Sequence, residues 1–180
     1  FSQYEREKVL SLHGSPVTCL AINESKNEVY SGDNEGGIYA TKLILEESSR
    51  QYIGHTGKIT HFDLNSTAEK LLSASYDGTI KIWDIRNGTV LKSYSNSTIQ
   101  PYGTTRGNEP TFAIFGDGDS TIIYGGYNCR IHRTNLQNGN TETLFQSFEG
   151  GITCGIFLAD KNKIAFAVNG SVFIYNIAQK

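Results

Sequence analysis

With 180 residues, the chain is long enough to bury one sizeable core. Its apolar share of 38%, charged share of 19%, 19 glycines and 3 prolines describe a globular chain rich in turns. A formal net charge of −2 gives no electrostatic footprint for direct nucleic-acid or anionic-membrane binding, and no apolar run nears the roughly 20 residues of a membrane helix.

The elements read as short strands throughout. Apolar, β-branched runs at 17–22, 59–64, 112–115 and 152–157 each predict a first strand. A polar turn and a second run follow each one, at 28–31, 70–74, 121–124 and 163–167. Third strands follow Gly/Asn/Asp turns, within 30–43, 72–85, 123–136 and 164–177. Further runs at 50–53, 89–94 and 143–148 complete the first three groups. Residues 8–12 resemble the 89–94 run and predict the outer strand of a preceding unit. No stretch keeps a helical period.

These groups are copies of one module. "YSGDNEGGIYATKL" (30–43) lies over "LSASYDGTIKIWDI" (72–85) at an offset of 42 residues. "IYGGYNCRIHRTNL" (123–136) follows at 51 and "IAFAVNGSVFIYNI" (164–177) at 92. A four-stranded unit repeating near 42 residues is the period of a β-propeller blade. Such a blade cannot bury both faces alone, so it stacks on neighbours around an axis. Alternation then aims Ile80 and Ile82 to one side of the third strand, and Trp83 and Ile85 to the other. The expected fold is all-β: about four blades of four antiparallel strands, at 13–53, 55–94, 110–148 and 150–177, as part of a seven-bladed ring. The chain contains no methionine and opens on Phe1, which leads to the expectation of a piece of a longer protein whose other blades lie elsewhere.

Residues 54–85, "GHTGKITHFDLNSTAEKLLSASYDGTIKIWDI", resemble a WD repeat: a Gly-His pair, a serine before the turn aspartate, and a terminal Trp-Asp. The resemblance implies a buried hydrogen-bond network of His55, Ser75 (with Ser73 as second choice), Asp77 and Trp83. A buried indole N–H needs an acceptor, and each unmet polar group costs about 1–3 kcal/mol. The other copies depart from it. The first has His13, with Glu35 for the aspartate, Asp33 for the serine and Thr41 for the tryptophan. The third has Asn128 and Thr134 without a histidine, and the fourth has Ser147, Asn169 and Tyr175. The full network is expected in the second blade alone.

Nothing in the pattern calls for a catalytic set, a cofactor or a metal. His13 and His55 have blade positions, while His61 and His132 read as packed strand residues. "GDGD" (116–119) and "SGDNEGG" (31–37) read as turns, lacking the ligand spacing of a calcium loop and the strand–loop–helix setting of a phosphate cradle. The resemblance instead implies a protein-docking face at the Gly-His loops and the turns before strand three. That face would hold Ser15, Asn34, Thr56, Lys58, Tyr76, Tyr127 and Val168. The extra length of the third copy, 95–110, is expected to emerge there too, bringing Tyr102 and Arg106.

Cys19, Cys129 and Cys154 read as small reduced thiols in or near strands, which favours an intracellular compartment, cytoplasmic or nuclear. Five Asn-X-Ser/Thr triplets, at Asn23, Asn65, Asn87, Asn96 and Asn169, point the other way only if the chain is secreted, as a sugar-binding propeller would be. The expected function is a non-catalytic scaffold for protein–protein interaction within a multi-protein complex. The alternative is a regulatory or substrate-recruiting propeller of a larger enzyme or membrane-trafficking protein.

Overall fold

A computed structural model describes residues 10–43, 48–96, 107–158 and 162–177. It contains four antiparallel sheets laid down in chain order, three with four strands and the last with three. Blade I holds β1 (Val17–Asn23), β2 (Glu28–Asp33), β3 (Ile38–Lys42) and β4 (Ser49–Tyr52). Blade II holds β5 (Ile59–Leu64), β6 (Lys70–Ser75), β7 (Thr79–Asp84) and β8 (Val90–Ser95). Blade III holds β9 (Pro110–Gly116), β10 (Thr121–Gly126), β11 (Arg130–Asn135) and β12 (Thr141–Gln146). Blade IV holds β13 (Ile152–Phe157), β14 (Lys163–Val168) and β15 (Ser171–Asn176). Each sheet is an all-antiparallel meander, so every second connection returns to the same end. These are blades of the β-propeller type.

Two boundaries differ from expectation. Leu10, Ser11 and Leu12 form no strand, and residues 8 and 9 lie outside the described residues. The outer strands end at Tyr52 and Gln146, so Ile53 and Phe148 fall in the connections that follow.

Strand alternation gives every blade a front face, toward the preceding blade, and a rear face, toward the next. Rear meets front three times. Tyr30, Ile38, Ala40 and Tyr52 of blade I pack on Phe62, Leu71 and Trp83 of blade II. Leu72, Ala74, Ile80 and Ile82 on the rear of blade II meet Ala113, Phe115, Ile122 and Tyr124. Phe112, Ile114, Ile123 and Ile131 on the rear of blade III meet Ile164 and Phe166 of blade IV. Trp83 therefore faces backward and Ile80 forward, as the alternation requires.

The inner strands are also stitched by hydrogen bonds. Thr18 Oγ1 donates to the Ile59 carbonyl (2.6 Å), Thr60 to Pro110 (2.8 Å) and Thr111 to Ile152 (2.8 Å). Between blades II and III, His61 Nδ1 lies 2.9 Å from the Ala113 carbonyl oxygen, and the Phe115 N–H donates to Asp63 (2.7 Å). Burial lowers the His61 pKa against the effect of that carbonyl contact. At the far end Asp119 of blade III accepts from the Ser66 N–H at 2.9 Å and from the Asn65 amide at 3.2 Å.

Candidate functional site

Blade II carries a continuous polar network of four side chains, His55, Ser73, Asp77 and Trp83. β4 delivers the chain to His55, whose Nδ1 lies 2.7 Å from Asp77 Oδ2 and whose Nε2 lies 2.7 Å from Ser73 Oγ. The Trp83 indole N–H donates to the same Ser73 oxygen at 2.8 Å. One proton arrangement satisfies all four groups: His55 donates to Asp77, Ser73 donates to His55, and Trp83 donates to Ser73. Thr79 supplies its N–H (2.9 Å) and hydroxyl (2.6 Å) to the other Asp77 oxygen. Burial pushes the Asp77 carboxyl up, but the hydrogen bonds from His55 and Thr79 outweigh it and hold the group well below the usual carboxylate range. Gly78, at φ +83°, makes the tight turn that brings Asp77 back over the histidine.

Ser73, not Ser75, bridges the network. Both serines are fully buried, but Ser75 donates to the Gly57 carbonyl (2.8 Å) and accepts from the Asp77 N–H (3.1 Å). Position along the strand explains the choice, since alternation puts both serines on one face: Ser73 pairs with Lys81 next to the Leu71–Trp83 pair on that face, whereas Ser75 sits at the strand end beside the loop.

Blade I builds a related network from different positions. His13 Nδ1 lies 2.8 Å from Asp33 and its Nε2 lies 2.7 Å from Ser31. Asp33, expected in the serine role, takes the aspartate role, and Ser31 takes the serine role. The Asp33 carboxylate accepts from the Glu35 N–H (2.9 Å) and Gly37 N–H (2.8 Å), as Asp77 accepts from Thr79. A Cβ on Gly37 would fall 2.4 Å from Asp33 Oδ2, so the missing side chain makes the room. Burial raises the Asp33 pKa, but the hydrogen bonds from His13, Glu35 and Gly37 bring it below normal. Thr41 stands where tryptophan stands in blade II; it is 2% exposed and its hydroxyl has no hydrogen-bond partner.

Blade III replaces the histidine with Asn96, which is 1% exposed and accepts from the Asn128 amide at 3.0 Å. A strand-for-loop offset hid this position from the sequence comparison; its signal is the Asn96 N–H bonded to Gly78, matched one blade on by Ser147 and Cys129. His132 is buried on the front face, 3.3 Å from the Thr143 hydroxyl and stacked at a tilt on Tyr124. Burial, helped by the Arg130 charge, brings the His132 pKa down to about 4. Among the described residues, blade IV has no polar network at the equivalent place: Phe166 occupies the serine site, stacked on Phe173 at 5.6 Å and tilted against Phe145 at 4.8 Å.

The loop end above these networks carries the expected docking residues. Tyr76 and Tyr127 meet edge to face, with centroids 6.1 Å apart and hydroxyls 3.4 Å apart, bridging blades II and III. The Lys58 amine lies 5.4 Å from the Tyr76 ring centre. Tyr127 is backed by Gly151 of the next connection, where a Cβ would fall 2.7 Å from its ring. Thr56 and Asn34 are exposed, and the Thr56 N–H donates to Asp77 (3.2 Å), tying the surface loop to the network below. Val168 is 1% exposed and belongs to the core. The Ser15 hydroxyl is buried without a hydrogen-bond partner, so it presents no polar group outward. Tyr102 and Arg106 lie outside the described residues. Sequence reading missed Ile53 and Phe148, which are 79% and 84% exposed at this same end. Their signal is a large apolar residue just ahead of the Gly-containing connection.

Residues 46–84 match the family described as "WD domain, G-beta repeat", the stretch that ends on the Trp83-Asp84 pair of blade II. The "Guanine nucleotide-binding protein subunit beta-like protein" of Encephalitozoon cuniculi is 30% identical over 97% of this chain and 57% of its own length. The "WD repeat-containing protein SL1-17" of Schistosoma mansoni is 24% identical over 92% of this chain and 54% of its own length. The "U3 small nucleolar RNA-associated protein 21 homolog" of Schizosaccharomyces pombe is 30% identical over 48% of this chain and 10% of its own length. Residues 46–84 thus match a WD repeat, and most of the chain is similar to WD-repeat proteins. The chain spans roughly half, or less, of the length of these relatives.

Proposed function

We propose that the chain is a non-catalytic interaction scaffold that docks a protein segment on the end carrying Tyr76, Tyr127 and Lys58, with Thr56 and Asn34 flanking. The observation that carries this reading is the Tyr76–Tyr127 pair. Two amphipathic rings from adjacent blades share one exposed site beside a cation, set on turns pinned by the buried Asp77. Tyrosine offers large contact area and a polar tip at low entropic cost. The most polar-satisfied blade lies directly beneath, so the site is held on a rigid base.

An intracellular setting, cytoplasmic or nuclear, accords with this. The three cysteines are free, and no described helix is long and apolar enough to cross a membrane. Asn23, Asn65 and Asn96, three of the five glycosylation triplets, are buried and hydrogen-bonded. Recruitment of substrate to a larger enzyme would use the same surface, and the relatives' greater length leaves room for it.

The test is affinity purification of the intact protein with mass spectrometry, repeated with Tyr76→Ala and with Tyr127→Ala. Loss of the same co-purifying proteins from both variants, at unchanged melting temperature, is expected. Full retention of every partner by both variants overturns the reading.

A further inference from the structure

Blades II and III, the middle two, border a groove of about 580 Å³. Both have all four strands, so the groove lies away from the first and last blade faces. Its residues Lys70 and Ser120 stand at the start of β6 and β10, whereas Tyr76 and Tyr127 follow the ends of those strands. The groove is therefore at the opposite end of the blades from the tyrosine pair.

Register puts Leu72, Ile82 and Lys92 in one row on the rear of blade II, with Lys70 two residues from Leu72 on the same face. Ile82, 3% exposed, forms the floor and belongs to the core between the two blades. Leu136 of blade III packs against that core and lines the far side. β8 bulges at this point: Ile82 faces Lys92 and Trp83 faces Val90, so Leu91 is the extra residue. The bulge aims Leu91, 48% exposed, into the groove beside Lys92.

The rim is cationic. The Lys92 amine donates to the Leu136 carbonyl, a neutral acceptor, which holds the ammonium across the opening. Among the described residues, neither Lys70 nor Lys92 has a carboxylate partner. Asp84, paired with Lys70 in register, is taken by Arg86 at 3.2 Å. Asp119 in the groove wall is turned onto the Ser66 N–H at 2.9 Å and the Asn65 amide at 3.2 Å, both in blade II. A chain of net charge −2 thus keeps two uncompensated cations beside one apolar floor.

We propose that this groove docks an extended acidic segment of a partner protein, with one apolar side chain seated between Leu91 and Leu136 and flanking carboxylates held by Lys70 and Lys92. Both parts of that chemistry are needed. A small inorganic anion would leave the apolar floor wet, and an apolar segment without acids would strip water from two ammonium groups and return no counter-charge. The groove is a second attachment point, independent of the tyrosine end.

The test is selection of a phage-displayed library of random heptapeptides on the protein, run in parallel on the Lys70→Gln/Lys92→Gln double variant. Peptides with Asp or Glu beside Leu, Ile or Phe should be enriched on the unaltered protein and not on the double variant. The most enriched peptide is then titrated by fluorescence anisotropy. Lys70→Gln and Lys92→Gln should each weaken it about threefold, the worth of one exposed ion pair. Leu91→Ser should weaken it about tenfold, through lost apolar burial. All three side chains are exposed, so the circular-dichroism melt should not change. Added salt should weaken binding, and Tyr76→Ala should leave it unaltered. A selection that enriches nothing, that enriches peptides without acids, or that gives the same peptides on the double variant overturns the proposal. Loss of binding in Tyr76→Ala overturns it as well, by putting the peptide at the tyrosine end.

Discussion

Blades II and IV share a backbone and solve its core differently. In blade II, Ser73 accepts from Trp83 and contacts His55, so two side chains converge on one hydroxyl. In blade IV the same point holds Phe166, packed among Phe145, Phe173 and Tyr175. Gly155 on the neighbouring strand lets Phe112 close in, since a Cβ there would fall 2.7 Å from that ring. One blade buys register with directional bonds, and the other fills the space with rings. Directional bonds specify which strand residue sits where; ring packing tolerates shifts but gains as much from burial.

The largest effect that would break this contrast is at Trp83, which is fully buried. Trp83→Ala should cost about 4–5 kcal/mol in denaturant unfolding, from lost burial and an orphaned Ser73. Trp83→Phe keeps most of the ring and loses only the donor, and should still cost about 1–2 kcal/mol. Tyr175→Phe at the matching place in blade IV should change stability by less than about 0.5 kcal/mol, because among the described residues that hydroxyl has no hydrogen-bond partner. Equal costs for the two phenylalanine variants would erase the distinction.

Next comes the histidine pair. His55→Ala leaves a half-buried carboxylate and a buried hydroxyl short of partners, and should cost about 3 kcal/mol at pH 7. His132→Ala removes polar contacts at 3.3 and 3.4 Å and should cost about 1–2 kcal/mol by thermal melting. Acid should separate them further. His132 titrates near 4 when folded and near 6.5 when unfolded, so the unfolded chain binds more protons between those values. Stability is therefore lost as pH falls from about 6.5 toward 4, by about 3 kcal/mol from this residue, with His61 acting in the same direction. His132→Ala should flatten that part of the pH profile. Asp77 and Asp33 are held below their unfolded values, so their contributions persist above about pH 4 and are lost in stronger acid.

The smallest effect sharpens the contrast from the side of blade I. Thr41 keeps a buried hydroxyl with nothing to bond, so the isosteric Thr41→Val should raise stability by about 1 kcal/mol, read as a shift in denaturant midpoint.

Strand order and the opposed aims of Ile80 and Trp83 were legible because they depend only on alternation and period. The choice of Ser73 over Ser75 was not, because the two share a face by alternation and only the path of the loop carrying His55 separates them. Asn96 was hidden because the comparison aligned third strands, and the longer blade III moved the equivalent of His55 off its register. Ile53 and Phe148 were absorbed into strands because apolar residues at a strand end look alike whether they stay in the sheet or leave it. The tyrosine pair was visible as two separate residues, and only the stacking of blades brings their rings together.

In blade I the carboxylate that holds the histidine comes from Asp33, at the end of its strand, rather than from the turn beyond. Two anchor points can thus deliver one charge to one place. A lineage could gain the second acid before losing the first, and never pass through a histidine without its counter-ion. Position-by-position matching scores such a blade as a stranger, while its chemistry remains that of its neighbour.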